Sequence, residues 1–196
     1  MAIIKTIALP ATLLFLLVTT LVLFLPNGLT EDAIRQMIRV TAASSMVLFC
    51  LAFSASSLNY LLSSGLAQPL MRARRQLGLS FALSHAGHLL AIIGLVEVAF
   101  EGNYAELGDI VGGSLIYLFI FAMAITSNNA SVQRLGAKNW TRLHKTGGYL
   151  IWLGLFSSYL GAALETGGMH YWLYFALGMA VLLLRVWAFW DKRQAA

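Results

Sequence analysis

Four histidines are the residues of this chain whose chemistry most needs an explanation. His85 and His88 are three positions apart, His144 follows Trp140-Thr-Arg-Leu, and His170 stands alone. Imidazole is the commonest side-chain metal ligand, and an ionisable residue inside an apolar span usually marks function. His85, His88 and His144 lie in or beside long apolar segments, so they are candidates for holding a metal or a cofactor.

The composition is that of an integral membrane protein. Of 196 residues, 59% are hydrophobic and 11% are charged, and the mean hydropathy is +0.77, whereas a soluble domain is about a quarter charged. The net charge of +5 comes from basic residues in the connections between apolar segments, which argues against a nucleic-acid partner. The single cysteine, Cys50, excludes an intramolecular disulfide and a cysteine-based zinc site.

Six apolar segments are long enough to cross a hydrocarbon core of about 30 Å. The sequence therefore predicts an all-α, six-helix membrane bundle that forms one domain over residues 1–196. The apolar run at the N-terminus has no cleavage signal and predicts a retained first span. Residues 30–39 have helical spacing and are predicted to lie along the outer interface. The six spans fall at about 5–25, 39–62, 79–100, 108–126, 146–164 and 171–190.

The distribution of charge predicts the orientation. In a six-span arrangement one side carries Lys5, Arg72, Arg74, Arg75, Arg134, Lys138, Arg142, Lys145, Lys192 and Arg193. The other side carries Glu31, Asp32, Glu101, Glu106, Asp109 and Glu165, with only Arg35 and Arg39 among them. Because cytoplasmic loops retain positive charge, both termini are predicted to be cytoplasmic. Arg185 is predicted to snorkel to that interface, and Trp140 to anchor there.

The histidines are predicted to lie at similar depths in two spans. At 1.5 Å per residue, His88 lies roughly 15 Å and His85 roughly 10 Å beyond the start of the third span. His144 lies near the cytoplasmic start of the fifth span, at a comparable depth. Zinc requires three or four protein ligands, whereas haem iron requires only two axial ligands. Two imidazoles from two helices therefore favour a haem.

Each of these signals also has a purely structural interpretation. A single intramembrane histidine often serves only as a hydrogen-bond partner for a neighbouring helix. Gly87, Gly147 and Gly148 would let a flat macrocycle approach the backbone, but small residues also serve ordinary helix packing. Three histidines on two helices beside cationic connections favour the cofactor. His170 is predicted to be an interfacial residue.

Several short motifs resemble the ferric reductase-like transmembrane domain family, and within it the haem-b membrane subunits of the bacterial periplasmic methionine sulfoxide reductase system. The resemblance extends from about residue 28 onward. The motifs are Arg74-Arg75-Gln-Leu-Gly-Leu79 before His88, Ala124-Ile-Thr-Ser127, Arg134-Leu-Gly136, and Trp140-Thr-Arg-Leu-His144 with Tyr149. This resemblance implies a six-helix bundle in the bacterial inner membrane that carries b-type haem on histidine ligands.

The resemblance also implies roles for individual residues. His88 matches the ligand on the third helix and His144 the first ligand on the fifth, while His85 matches none and is expected to be an alternate ligand or a hydrogen-bond partner. The family usually has a further histidine where this chain has Ser157, and two-haem relatives have one where it has Gly102. One haem is therefore expected, in the cytoplasmic half, unless His170 supplies an outer ligand.

The expected function is that of a membrane b-type cytochrome with a bis-histidine haem. It would be an electron-transfer subunit of an oxidoreductase system, with membrane lipid around it, rather than a complete enzyme. No Gly-x-Gly-x-x-Gly fingerprint indicates an FAD or NAD domain in this chain, so a cytoplasmic flavoprotein or a quinol is the expected donor and a periplasmic reductase the expected acceptor. The alternative is a cofactor-free transporter or assembly protein whose histidines bind a partner or a divalent metal.

Overall fold

The computed structural model describes residues 3–62, 65–104 and 110–194. Every regular element in these ranges is helical. Seven α-helices are described there, one more than the sequence predicts. They are α1 (Ile3–Asn27), α2 (Glu31–Leu61), α3 (Gln68–Ala99), α4 (Ile110–Ile125), α5 (Asn129–Leu135), α6 (Ala137–Thr166) and α7 (Met169–Gln194). Glu106 and Asp109, predicted for the outer side, lie outside the described residues.

The chain is an integral membrane protein. Five of the described helices, α1, α2, α3, α6 and α7, are long and apolar enough to cross a bilayer, and α4 with α5 would make a sixth span if counted as one broken helix. Many large apolar side chains remain exposed, among them Leu14, Val22 and Leu25 of α1. Contiguous apolar surface of this kind is costly in water and favourable in lipid.

The interfacial segment predicted at residues 30–39 is wrong, because these residues form the first turns of α2. Thr30 caps the helix, since its hydroxyl oxygen accepts a hydrogen bond from the Ala33 N–H at 3.4 Å. Ile34 and Met37 are then 2% and 6% exposed. Burial of this apolar face extends α2 as one continuous helix instead of leaving a strip at the interface.

Two further boundaries differ from the prediction. Helix α3 begins at Gln68, with Pro69 in its first turn, where a proline costs no hydrogen bond. The arginines at positions 72, 74 and 75 therefore lie on a helix and not in a loop. After α4 the chain bends by 108° into α5, which Asn128 caps by accepting from the Ser131 N–H at 2.7 Å. Gly136, with φ of 74°, then permits the turn into α6.

Helices α2 and α3 share the most extensive interface, and a row of hydroxyl groups runs along it. Ser84 of α3 lies 2.7 Å from the Ser44 hydroxyl and 3.1 Å from the Ser45 hydroxyl. The Ser84 hydroxyl also donates to the Thr41 carbonyl at 3.3 Å. Small polar residues let two membrane helices approach closely and bond to each other. This hydroxyl row fixes how far α3 is displaced along α2, and hence the level of every side chain on α3.

Candidate functional site

A cavity of about 570 Å³ lies between α2, α3, α4, α6 and α7, at the end of the bundle that carries the basic residues. Its walls are apolar and largely aromatic, and five of the most buried side chains of the core line it: Phe49, Phe53, Phe81, Ile120 and Ile151. Its polar lining includes arginines at positions 72, 74, 75 and 185, together with Lys145 and His144. The volume and the mixture of apolar walls with few polar groups are typical of a cofactor site.

His144 is the only histidine among the described residues that line this cavity. Its ring stacks on Trp140 one turn earlier in α6, with ring centroids 4.1 Å apart. His144 Nε2 lies 3.2 Å from the Thr126 hydroxyl, and Trp140 donates to the Thr126 carbonyl at 2.9 Å. Residues at the end of α4 and at the start of α6 therefore both position this imidazole.

The hydrogen bonds around Thr126 indicate the tautomer of His144. The Thr126 hydroxyl donates its single proton to the Ala122 carbonyl at 2.7 Å. The hydrogen bond to the imidazole must then run from His144 Nε2–H to the Thr126 oxygen. Nδ1 is left as the nitrogen with a free lone pair, and a neighbour that fixes the other ring nitrogen is typical of a metal-ligating histidine.

Arg185 faces the cavity, whereas the sequence predicted that it would snorkel to the interface. Its Nη1 donates to the Phe53 carbonyl at 2.6 Å, and its Cζ lies 4.0 Å from the centre of the Phe53 ring. Its Nε is buried and has no hydrogen-bond partner in the described part of the chain. The interactions with Phe53 of α2 hold the guanidinium against the cavity wall.

The cavity contains positive charge that no protein carboxylate neutralises. Arg74, Arg185 and His144 all line the cavity. No Asp or Glu lines the cavity within residues 3–62, 65–104 and 110–194. An unpaired cation with a buried N–H is costly, so the site is suited to an anionic group such as a carboxylate.

His88 lies away from the cavity, at the interface of α3 with α2. Its Nδ1 is 3.1 Å from the Ile38 carbonyl and 3.2 Å from the Thr41 hydroxyl. The Thr41 hydroxyl donates its proton to the Met37 carbonyl at 2.6 Å, so Nδ1–H of His88 donates to Ile38. These bonds attach His88 to the α2–α3 interface, and its Nε2 has no hydrogen-bond partner in the described part of the chain.

His85 is packed among aromatic rings and is 7% exposed. Its ring centroid is 5.1 Å from that of His88, 5.4 Å from Phe81 and 5.0 Å from Tyr117. Its Nδ1 is buried without a hydrogen-bond partner, and the same is true of the Tyr117 hydroxyl. The structure therefore brings His85 and His88 together, as their spacing predicts.

His88 and His144 are held by different helices of the bundle. Helix α3 lines the cavity of His144 from Met71 to Ala82, and His88 follows Ala82 by six positions, which corresponds to roughly 9 Å along the axis. The hydrogen bonds and ring contacts described for residues 3–62, 65–104 and 110–194 do not join His88 to His144. His88 thus lies beyond the described cavity lining on α3.

The contacts of α4 indicate the level of His85 relative to His144. Thr126 of α4 bonds to His144, and Tyr117 of α4 packs on His85. These two α4 residues are nine positions apart, which corresponds to roughly 14 Å along the helix. His85 and His144 therefore contact α4 at different levels, whereas the sequence suggested similar depths.

The remaining sequence-selected positions lie outside the cavity. His170 is exposed in the first turn of α7, beside Tyr171. Ser157 is exposed on α6 and donates to the Gly154 carbonyl at 3.1 Å. Gly102, with φ of 80°, forms the turn after α3. None of these three positions contributes a polar group to the cavity.

The three glycines near the histidines have different roles. A Cβ at Gly87 would contact Leu16 and Thr41, and one at Gly147 would overlap the Met123 sulfur, so both glycines serve helix packing. Gly148 lines the cavity and faces the Phe53 ring. Only Gly148 is therefore positioned to let a ligand approach the backbone.

Sequence analysis missed three contributors to this site. Trp140 was predicted to be an interface anchor, but its position four residues before His144 already indicated a shared helix face. Arg185 was the only basic residue inside the apolar part of the last span, and that isolation was the available signal. Thr126 lies in the Ala124–Ser127 motif, but its contact with His144 could not be predicted from it, because that contact depends on the packing of α4 against α6.

Comparisons with known proteins indicate the family of this chain. No family model matches the chain, and no solved structure matches it. A protein-methionine-sulfoxide reductase heme-binding subunit MsrQ from Ralstonia nicotianae is 30% identical over 176 residues, which cover 81% of this chain and 74% of that protein. The chain belongs to the MsrQ family. The family assignment agrees with the sequence-based resemblance to haem-b subunits of the methionine sulfoxide reductase system.

Two further MsrQ proteins extend the comparison. The protein from Caulobacter vibrioides is 32% identical over 124 residues, 60% of this chain and 57% of its own length. The protein from Polaromonas naphthalenivorans is 26% identical over 170 residues, 85% of this chain and 76% of its own length. The aligned region thus spans between about half and three quarters of the MsrQ relatives.

Proposed function

We propose that this chain is a haem-binding electron-transfer subunit whose haem occupies the cavity beside His144. The observation that carries the proposal is a cavity that combines apolar walls, one oriented imidazole and guanidinium groups with no carboxylate partner in the described lining. The names of the MsrQ relatives support it, since each is called a heme-binding subunit of protein-methionine-sulfoxide reductase.

The cavity lining fits the three parts of a haem. The aromatic and aliphatic walls suit the macrocycle, His144 Nδ1 suits the iron, and Arg74 and Arg185 suit the carboxylates. The haem would be of b type, because covalent attachment requires a Cys-x-x-Cys-His motif and the only cysteine is Cys50. When bound, haem supplies reversible one-electron chemistry at its iron.

The protein groups around the cavity would position this cofactor and tune it. Thr126 accepts the Nε2 proton of His144 and so keeps Nδ1 free, while Trp140 restrains the ring. Such neighbours set the orientation and basicity of a ligand. Arg185 would hold a carboxylate at the basic end of the bundle, and the walls formed by Phe53 and Phe81 would exclude water from the macrocycle.

We assign His144 to the iron as the ligand from α6, because it lines the cavity. The ligand expected from α3 is His88, whose Nδ1 is fixed by the Ile38 carbonyl, with His85 beside it. His88 and His85 lie outside the described cavity lining, so the assignment rests on His144. We propose one haem per chain.

The membrane arrangement belongs to the same proposal. Six spans, with α4 and α5 as one broken span, place the basic end of the bundle in the cytoplasm and both termini with it, in a bacterial inner membrane. The donor would be a cytoplasmic flavoprotein that meets the basic end, or a quinol. The acceptor would be a methionine sulfoxide reductase on the opposite side.

A quinol donor has one structural feature in its favour. A lateral groove of about 620 Å³ lies against α1 and α2, and its lining is almost wholly apolar. The hydroxyl-bearing residues that line it are Thr12, Ser44 and Tyr174. The alternative of a divalent-metal protein has no such support, because residues 3–62, 65–104 and 110–194 contain no group of three or more His, Cys, Asp or Glu that would hold a metal.

The test is haem content in purified wild-type protein and two alanine variants. The protein is expressed with ample haem supply, and haem per chain is measured by pyridine haemochrome together with the Soret absorbance. Wild-type protein and His170→Ala should carry one haem, whereas His144→Ala should lose it. Colourless wild-type protein, or an unchanged haem content in a folded His144→Ala variant, would contradict the proposal.

A further inference from the structure

One methionine differs from the others in how far its side chain is exposed. Met169, the first residue of α7, is 73% exposed. Met37 and Met46 are 6% and 1% exposed, and the sulfur of Met123 packs against α6. Met71 is 39% exposed, but it lines the cavity at the basic end of the bundle. Because a thioether is oxidised to its sulfoxide where an oxidant can reach the sulfur, Met169 is the methionine most open to this reaction among the described residues.

Met169 follows a tight turn at the end of the bundle opposite the basic residues. Helix α6 ends at Thr166, and Gly167, with φ of 66°, and Gly168 connect it to α7. The exposed polar side chains around the turn are those of Glu165, Thr166 and His170. Water-borne oxidants can therefore reach the Met169 thioether at this edge of the apolar spans. Exposed turns are also the segments that most readily enter the active site of another protein.

We propose that Met169 is an oxidation and repair site, and that its sulfoxide is a substrate of the methionine sulfoxide reductase to which this chain supplies electrons. In the first step, hypochlorite transfers its oxygen atom to the thioether sulfur and leaves as chloride. In the second step, the reductase removes that oxygen as water, using two electrons and two protons, and the thioether is restored. The second step rests on the proposed function, which places the reductase at the same end of the bundle as Met169.

The oxidation step is tested by peptide mass spectrometry after limited treatment with oxidant. In the folded protein, hypochlorite should oxidise Met169 roughly tenfold faster than Met37, in proportion to their exposures of 73% and 6%. On spheroplasts, a membrane-impermeant chloramine should oxidise Met169 and leave Met71, at the opposite end, reduced. The oxygen that the chain takes up there should fall to baseline in Met169→Leu and stay as in wild type in Met71→Leu. Oxidation of Met37 or Met71 ahead of Met169 would overturn the inference.

The repair step is tested with the oxidised chain and the purified catalytic subunit of the reductase from the same bacterium. Dithionite and benzyl viologen supply the electrons, and a sample without the reductase is the control. The Met169 peptide should lose its added oxygen only when the reductase is present. A reductase that reduces free methionine sulfoxide but leaves the Met169 sulfoxide unchanged would overturn the inference. Because viologen replaces this chain as the electron source, the result is independent of haem content, which tests the proposed function separately.

Discussion

Replacing Arg185 with methionine should weaken haem binding with little effect on the stability of the haem-free protein. The side chains are similar in length, so the change mainly removes the guanidinium from the cavity. A hydrogen bond to a charged group contributes about 1.5–3 kcal/mol. Loss of one such bond to a haem carboxylate should raise the dissociation constant by about 10- to 150-fold.

The haem-free protein should respond differently because the guanidinium has both favourable and unfavourable interactions. Removing it loses the hydrogen bond to the Phe53 carbonyl and the contact with the Phe53 ring, each worth about 1–2 kcal/mol. Removing it also eliminates a buried Nε–H without a partner, which costs about 1–3 kcal/mol. The losses total about 2–4 kcal/mol and the gain is about 1–3 kcal/mol, so the free energy of unfolding should fall by about 1 kcal/mol.

The assay is a titration of haem into haem-free protein, followed at the Soret band, with a denaturant unfolding curve for each variant. Arg193→Met is the matched control, because Arg193 is also an arginine of α7 above an aromatic ring, 4.5 Å from the Phe189 centroid, but does not line the cavity. Arg185→Lys should fall between wild type and Arg185→Met. Equal haem affinity in Arg185→Met and Arg193→Met would refute the carboxylate role of Arg185.

Two further predictions concern the packing that forms the cavity. Gly154→Val should destabilise the protein by about 1–3 kcal/mol, because a Cβ at Gly154 would overlap Ile116. The control is Gly161→Val on the same helix, which meets open space and should change stability far less. Denaturant unfolding measures both variants, and equal losses of stability would contradict the α4–α6 contact. Cys50 is 4% exposed, so a maleimide should modify it only after unfolding, and rapid labelling of the native protein would disprove its burial.

Local patterns in the sequence were enough to predict much of this protein. The high apolar content predicted a membrane protein, and runs of about 20 apolar residues predicted the spans, because lipid requires every backbone group to be bonded within its own helix. The Trp140–His144 motif predicted membership of the haem-b subunits, and it also marked the histidine that the cavity contains. These patterns involve residues close together in the chain, so they can be interpreted without knowing how the helices pack.

The depths of the histidines could not be read from the sequence. The predicted third and fifth spans begin at residues 79 and 146, whereas the helices that contain them, α3 and α6, begin at Gln68 and Ala137. The displacement of α3 relative to α2 and α6 depends on contacts such as Ser84 with Ser44 and Phe49 with Phe81. These contacts join residues far apart in the chain, and no local pattern records them.

The sequence by itself determined the class of the protein, its helices, its basic end and the identity of its best ligand candidate. The tertiary structure decided that Arg185 faces the cavity and that His144 lines it, whereas His85 and His88 lie outside its described lining. The physical reason is that composition and periodicity act within one helix, whereas the depth of a side chain in a bundle is set by how neighbouring helices interlock.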